Sequence, residues 1–205
     1  MIIVSPYLTF PSVGWWLAAV QADSILLDGG EHFVKMTERN RYRIAGANNS
    51  ILLSVPLQNG RDQRTRMADI AIANEDNWQV QHWRTLVSAY NRSPYFMHYE
   101  PLLAPLYETL FDSLLQFNKA TMLWVMQQLQ LHLNLALNET TTYIKEYPAD
   151  HRDLRHMKAY PCDAPPYHQV FMDRLGFLPG LSILDLLFCE GPSAAAWLRR
   201  HTPKG

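Results

Sequence analysis

The chain opens on a short apolar run, residues 1–7 (MIIVSPY), that stops at a proline as a buried first strand would. Pro11-Ser12 introduces the apolar stretch 13–22, suited to a helix, and 24–28 (SILLD) reads as a second buried strand halted by Gly29-Gly30. Strand, helix, strand within thirty residues is the unit of a parallel sheet with a right-handed crossover. Residues 31–44 are polar and charged without a helical stripe, and 51–57 (ILLSVPL) returns to strand character, with Pro56 placing its end at an edge or turn. Residues 59–66 read as a polar loop and 67–73 as a further short strand.

From Asn77 the period changes. Val80, Trp83, Val87 and Leu86 with Tyr90 fall on one side of a 3.6-residue helix that ends at 91–94, with His82 at the rim of the stripe. Another helix is expected within 95–117, its start complicated by Pro101 and Pro105, and a third over 119–130. Leucines then recur at every second position from Leu129 to Leu137, which predicts a strand at 132–137. Residues 146–166 read as a charged, proline-containing connection, followed by helices at 182–189 and 193–200. The pattern predicts one α/β domain over 1–205. Its core, 1–145, carries a predominantly parallel sheet with flanking helices, and 146–205 supplies the connection and a helical C-terminal part.

Composition narrows the function without naming it. A chain of 205 residues, 48% hydrophobic and 12% aromatic, can bury a real core. A net charge of −1 argues against a dedicated nucleic-acid binder. That balance hides a basic segment, because residues 31–66 hold seven Lys and Arg against three acids. No apolar run approaches the length of a bilayer span, no signal-peptide pattern opens the chain, and two cysteines make no disulfide framework. The expected compartment is the cytoplasm. There is no phosphate-loop signature, no G-x-G-x-x-G, no nucleophile elbow and no zinc-type cysteine pair. His151 and His156 are spaced too loosely to predict a metal, so neither metal nor cofactor is expected.

Several segments carry a more specific signal. They are Pro6-Tyr7 with Phe10-Pro11-Ser12, the tract from His32 through Lys35, Arg39 and Asn40 to Arg41, and Ile51 to Pro56. Trp78, His82-Trp83, Leu86, Ala89-Tyr90 and Ser93-Pro94-Tyr95-Phe96 follow, then Tyr167 to Phe171 and Gly176 to Leu187. In order and spacing they resemble the WbqC-like family, associated with bacterial O-antigen and other surface-polysaccharide gene clusters. The resemblance implies a cytoplasmic, polysaccharide-related bacterial protein, and a glycine-transferase role has been suggested for some members.

The candidate chemistry sits in the same tract. In an extended segment Arg39, Arg41 and Arg43 share one face, where guanidinium forks suit an anionic substrate such as a nucleotide sugar or an activated acyl donor. The alternative is a solvated strand face paired with local acids. His32 and Lys35 follow the second strand and its glycine turn, where open α/β sheets collect ligands. His32 is one candidate general base and His82 the other, Lys35 is a candidate anion ligand, and Asp28 is placed to orient an imidazole or bind hydroxyls. Each histidine has a plain alternative as a hydrogen-bonded structural side chain. Tyr7, Asn40, Asn91 and Tyr95 complete the candidate substrate-binding set, although Asn91 is also a natural helix C-cap. Asp185 reads as the acid of a capping box opened by Ser182. The expected arrangement has His32, Arg41 and His82 around one polar pocket.

Two functions compete at this level. One is a transferase that moves an acyl group, glycyl among the candidates, onto a sugar precursor. The other is a non-catalytic module that binds a nucleotide sugar or a partner enzyme. Both expect a small anionic ligand, no nucleic acid and no membrane span, and a homo-oligomer is compatible with either.

Overall fold

The first thirty residues form the expected unit. In the computed structural model, which describes residues 1–58, 64–147, 149–157, 160 and 165–201, strand β1 (Ile2–Ser5), helix α1 (Val13–Ala19) and strand β2 (Ser24–Asp28) follow one another, and β1 pairs with β2 in parallel. β3 (Arg41–Ala45) and β4 (Ser50–Ser54) make a separate antiparallel pair. Next come α2 (Trp78–Tyr90), α3 (Phe96–Glu108) and α4 (Leu114–Gln128), then β5 (Asn134–Asn138) and β6 (His151–Asp153). The chain ends in α5 (Met172–Leu175), α6 (Ile183–Glu190) and α7 (Ala194–Arg200). The fold is mixed α/β. Its main sheet runs β5-β2-β1-β6 with every pairing parallel.

Three expectations need correction. Residues 67–73 are no strand: Met67–Asp69 is a single 3-10 turn, and only isolated bridges of Ala71 to Ser113 and Ile72 to Leu57 follow it. Pro101 and Pro105 lie inside α3 rather than delaying it, and α4 begins at Leu114, where the Ser113 hydroxyl accepts from the Gln116 amide as its cap. The charged connection supplies β6, which closes the free edge of β1. The run His151-Arg152-Asp153 has no apolar alternation because an edge strand needs only backbone pairing on one side. Cys162 and the loop at 59–63 lie outside the described residues.

The glycines that stop β2 answer to packing. A methyl group on Gly30 would come 2.0 Å from the Thr142 carbonyl oxygen, and one on Gly29 would come 2.6 Å from that of Asn138. The stretch after β5 thus lies directly on the turn that leaves β2.

Candidate functional site

The tract after that turn is pinned by a buried ion pair. Arg39, expected to open the arginine row, is fully buried and outside β3. Its Nε donates to Glu31 Oε1 at 2.7 Å and its Nη2 to Glu31 Oε2 at 2.8 Å, with further bonds to Thr37 Oγ1 and to the Arg155 carbonyl. Burial pushes the Glu31 carboxyl above its ordinary pKa, and the Arg39 guanidinium draws it back. Asn118 on α4 donates to the carbonyls of both Tyr7 and Arg39, which ties the tract to the first loop. The row therefore splits: Arg39 is spent inside, while Arg41 and Arg43 reach a cavity.

That cavity, of about 340 Å³, gathers segments from across the chain. Ser12 from the start of α1, Glu38, Arg41 and Arg43 from the basic tract, Tyr160, and Gly180 from the loop before α6 all line it. Glu38 Oε2 accepts from the Ser12 amide at 2.8 Å. Desolvation raises the Glu38 pKa from 4.5 to about 7, against the pull of Ser12 and of the Arg43 charge. Two buried polar atoms on the walls, Arg41 Nε and Tyr160 Oη, have no protein partner among the described residues, and the Ser12 hydroxyl interacts with the Glu38 carboxylate. Buried polar groups are nearly always satisfied, so these atoms are hydrogen-bonding groups that the protein leaves open on the cavity wall.

A second cavity of about 300 Å³ adjoins the first through Met36 and Arg41, which line both. Lys35 and Asn40 stand in it beside Phe33, Val55 and Leu57. Asn40 Nδ2 is committed to the Val55 carbonyl.

The sequence model of the WbqC-like protein family matches residues 6–160. The chain belongs to the WbqC-like family. No curated protein and no solved structure matches it. The stretch shared with WbqC-like proteins contains Ser12, Glu38, Arg41 and Arg43 and ends on Tyr160, whereas Gly180 and α6 lie beyond it. No helix among the described residues is long and apolar enough to cross a membrane. No group of three or more His, Cys, Asp or Glu among them could hold a metal ion.

Among the described residues, the two cavities that Arg41 lines include neither His32 nor His82. His32 is exposed and forms an isolated bridge with Arg66. His82 is buried: the Tyr42 hydroxyl lies 3.1 Å from its Nδ1 and the Ser54 carbonyl 3.2 Å from its Nε2. Desolvation lowers its pKa to about 4, so the ring is neutral near pH 7. The buried face of α2 is Trp78, His82, Leu86 and Tyr90 rather than the stripe through Val80, which is exposed. The helix is turned from its expected face because Tyr42 and Ser54 satisfy an imidazole that hydropathy alone assigns to the rim.

The remaining candidates are dispersed. Asp28 is buried and accepts from the Gly30 amide, Asn138 Nδ2 and Arg155 Nη1, the last at 2.6 Å. Tyr7 is fully buried with its hydroxyl unpartnered, and burial raises its pKa. Asn91 is the exposed C-cap of α2. Tyr95 precedes α3, its amide bonded to the Phe188 carbonyl and its ring against Gly191. Asp185 is structural by another route than a capping box: its carboxylate is fully buried and accepts from the hydroxyls of Tyr90 and Tyr167.

Of the residues lining this cavity, the sequence pattern points to Arg41 and Arg43 but not to Glu38, Ser12 or Tyr160 as site residues. The available signal was Glu38 itself, an acid inside a basic tract that matches the family.

Proposed function

We propose that this WbqC-like protein is a transferase that moves an acyl group, glycyl among the candidates, onto an amine or hydroxyl of a sugar precursor for bacterial surface polysaccharide, in the cytoplasm. The observation that carries the reading is Glu38, a carboxyl with a pKa of about 7 facing Arg41 and Arg43 in one cavity. A base poised near the working pH is what proton removal from an attacking group needs. The acceptor N–H or O–H passes its proton to the Glu38 carboxylate as its lone pair bonds to the acyl carbon. The bond from that carbon to the leaving group then breaks, and the leaving group departs with the electron pair. Arg41 is placed to face the oxygen that gains charge, through an Nε that makes no other bond. In this reading Glu38 takes the role assigned from sequence to His32 or His82, because His82 has both ring nitrogens engaged.

The test is direct. Purified protein is incubated with activated glycine donors and a panel of amino-sugar and hydroxy-sugar nucleotides, and acceptors are weighed by mass spectrometry. Acylated product that disappears in Glu38→Gln supports the transferase. Saturable binding of a sugar nucleotide with no acylation of any acceptor supports the binding module instead.

A further inference from the structure

We infer that the cavity lined by Lys35, Asn40 and Arg41 is a phosphate subsite, and that the ligand it holds passes beside Arg41 into the cavity of Glu38. This deepens the proposed function, on which it rests only for naming the ligand a substrate. The second cavity has two ionisable side chains on its walls, Lys35 and Arg41, and both are cations. Neither meets a carboxylate among the described residues. The two fully buried guanidiniums near this tract are compensated by carboxylates, Arg39 by Glu31 and Arg155 by Asp28 and Asp153, and the partly buried Arg66 donates to the Gly30 carbonyl.

Arg41 is the exception. Its Nε is buried and unbonded, and a partly buried cation without a counter-ion costs stability unless an anion arrives. A planar guanidinium grips the oxygens of a phosphate from one side, and the flexible ammonium of Lys35 adds a point charge from another. Phe33, Val55 and Leu57 give the same cavity an apolar wall, which lowers the local dielectric and strengthens those contacts.

Met36 stands where the two cavities meet. It is 76% exposed and holds φ at +59°, a conformation that residues other than glycine seldom adopt. Met36 and Arg41 line both cavities. A ligand with a phosphate or diphosphate in one compartment and its reacting group in the other fits this layout. Sugar nucleotides and acyl phosphates share that chemistry.

The experiment measures equilibrium binding of inorganic diphosphate to the whole protein by calorimetry at low salt. One saturable site is expected. Lys35→Met and Arg41→Met should each weaken it by about ten- to hundredfold, the size of a lost charge-assisted hydrogen bond. Arg84→Ala removes an exposed cation on α2 outside both cavities and should leave affinity within about twofold, which separates a subsite from general charge attraction. Competition then names the source: displacement by a uridine-diphosphate sugar but not by acetyl phosphate marks the nucleotide, and the reverse marks the acyl donor. Absence of saturable diphosphate binding, or a Lys35→Met affinity equal to that of the unaltered protein, overturns the inference. Diphosphate that binds as expected to a protein acylating nothing leaves the subsite standing and removes the transferase. Acylation with diphosphate affinity indifferent to Lys35 does the opposite.

Discussion

The Arg39 guanidinium and the Glu31 carboxylate meet in a two-pronged buried ion pair, at 2.7 and 2.8 Å, and the Arg155 carbonyl takes another Arg39 N–H at 2.6 Å. That pair fixes the chain on one side of the cavity, two residues before Arg41. Arg39→Ala leaves Glu31 buried without its partner and should cost about 3–5 kcal/mol, read from urea unfolding. Arg39→Lys should recover little, since an ammonium cannot reproduce the fork. Arg39→Met combined with Glu31→Leu should be less damaging than Arg39→Ala alone. A double variant worse than the single one would mean that the Thr37 and Arg155 contacts carry most of the stability.

Glu38 and His82 set opposing pH dependences. His82 has its folded pKa lowered from 6.5 to about 4, so the unfolded chain binds more protons between these values. Its contribution to stability is complete above pH 6.5 and falls by about 3 kcal/mol as pH drops to 4. Glu38 has its folded pKa raised from 4.5 to about 7, so the folded chain holds the extra proton and stability declines as pH rises through that window. Replacing His82 with Gln should therefore expose a falling limb between pH 4.5 and 7. Replacing Glu38 with Gln should leave a rising limb from pH 4 to 6.5. Thermal unfolding of both variants across pH 4–8 checks the signs.

Activity should follow the ionised form of Glu38. If this carboxylate takes the acceptor proton, kcat/KM climbs as pH rises to about 7 and then levels. Glu38→Gln should lower kcat/KM by roughly 100- to 10,000-fold and abolish that limb, with diphosphate affinity retained. A Glu38→Gln enzyme with the same pH profile as the unaltered protein would assign the base elsewhere.

Met36 offers a test in which backbone and ligand effects part. Met36→Gly relieves the cost of a left-handed backbone, so stability should hold or rise by up to about 1 kcal/mol. A side chain that lines both cavities is lost, and discrimination among acceptors of different size should relax in steady-state assays. Met36→Ala, which keeps the strain and removes the bulk, should relax selectivity without the gain in stability.

Local pattern was enough to determine part of this protein. The alternation of apolar runs with glycine and proline stops fixes β1 and β2 within a residue or two and the start of α1, which ends three residues before the apolar stretch does, because a buried strand and an apolar helix differ in length and in their stop signals. The leucine period after Leu129 marks β5 for the same reason. The order of motifs from Pro6 onward carries the family, which the match over 6–160 shows. Arg41 was legible as an anion ligand candidate, since guanidinium chemistry is written in the residue type.

What each polar residue does was decided only by tertiary structure. Arg39 and Arg41 are two residues apart and identical in type, yet one is buried against Glu31 and the other lines a cavity. The difference depends on the carbonyl of Arg155, 116 positions away, and on an acid eight positions back, which no periodicity encodes. The same holds for His82, whose burial rests on Tyr42 and Ser54, and for β6, whose polar sequence becomes a strand because β1 offers it an open edge. The cavity draws Ser12, Glu38, Tyr160 and Gly180 from four separate stretches. Hydrophobic burial follows short-range pattern because it is non-directional. The place of a charge follows the partner that offsets its desolvation, and that partner is found only when the chain has folded.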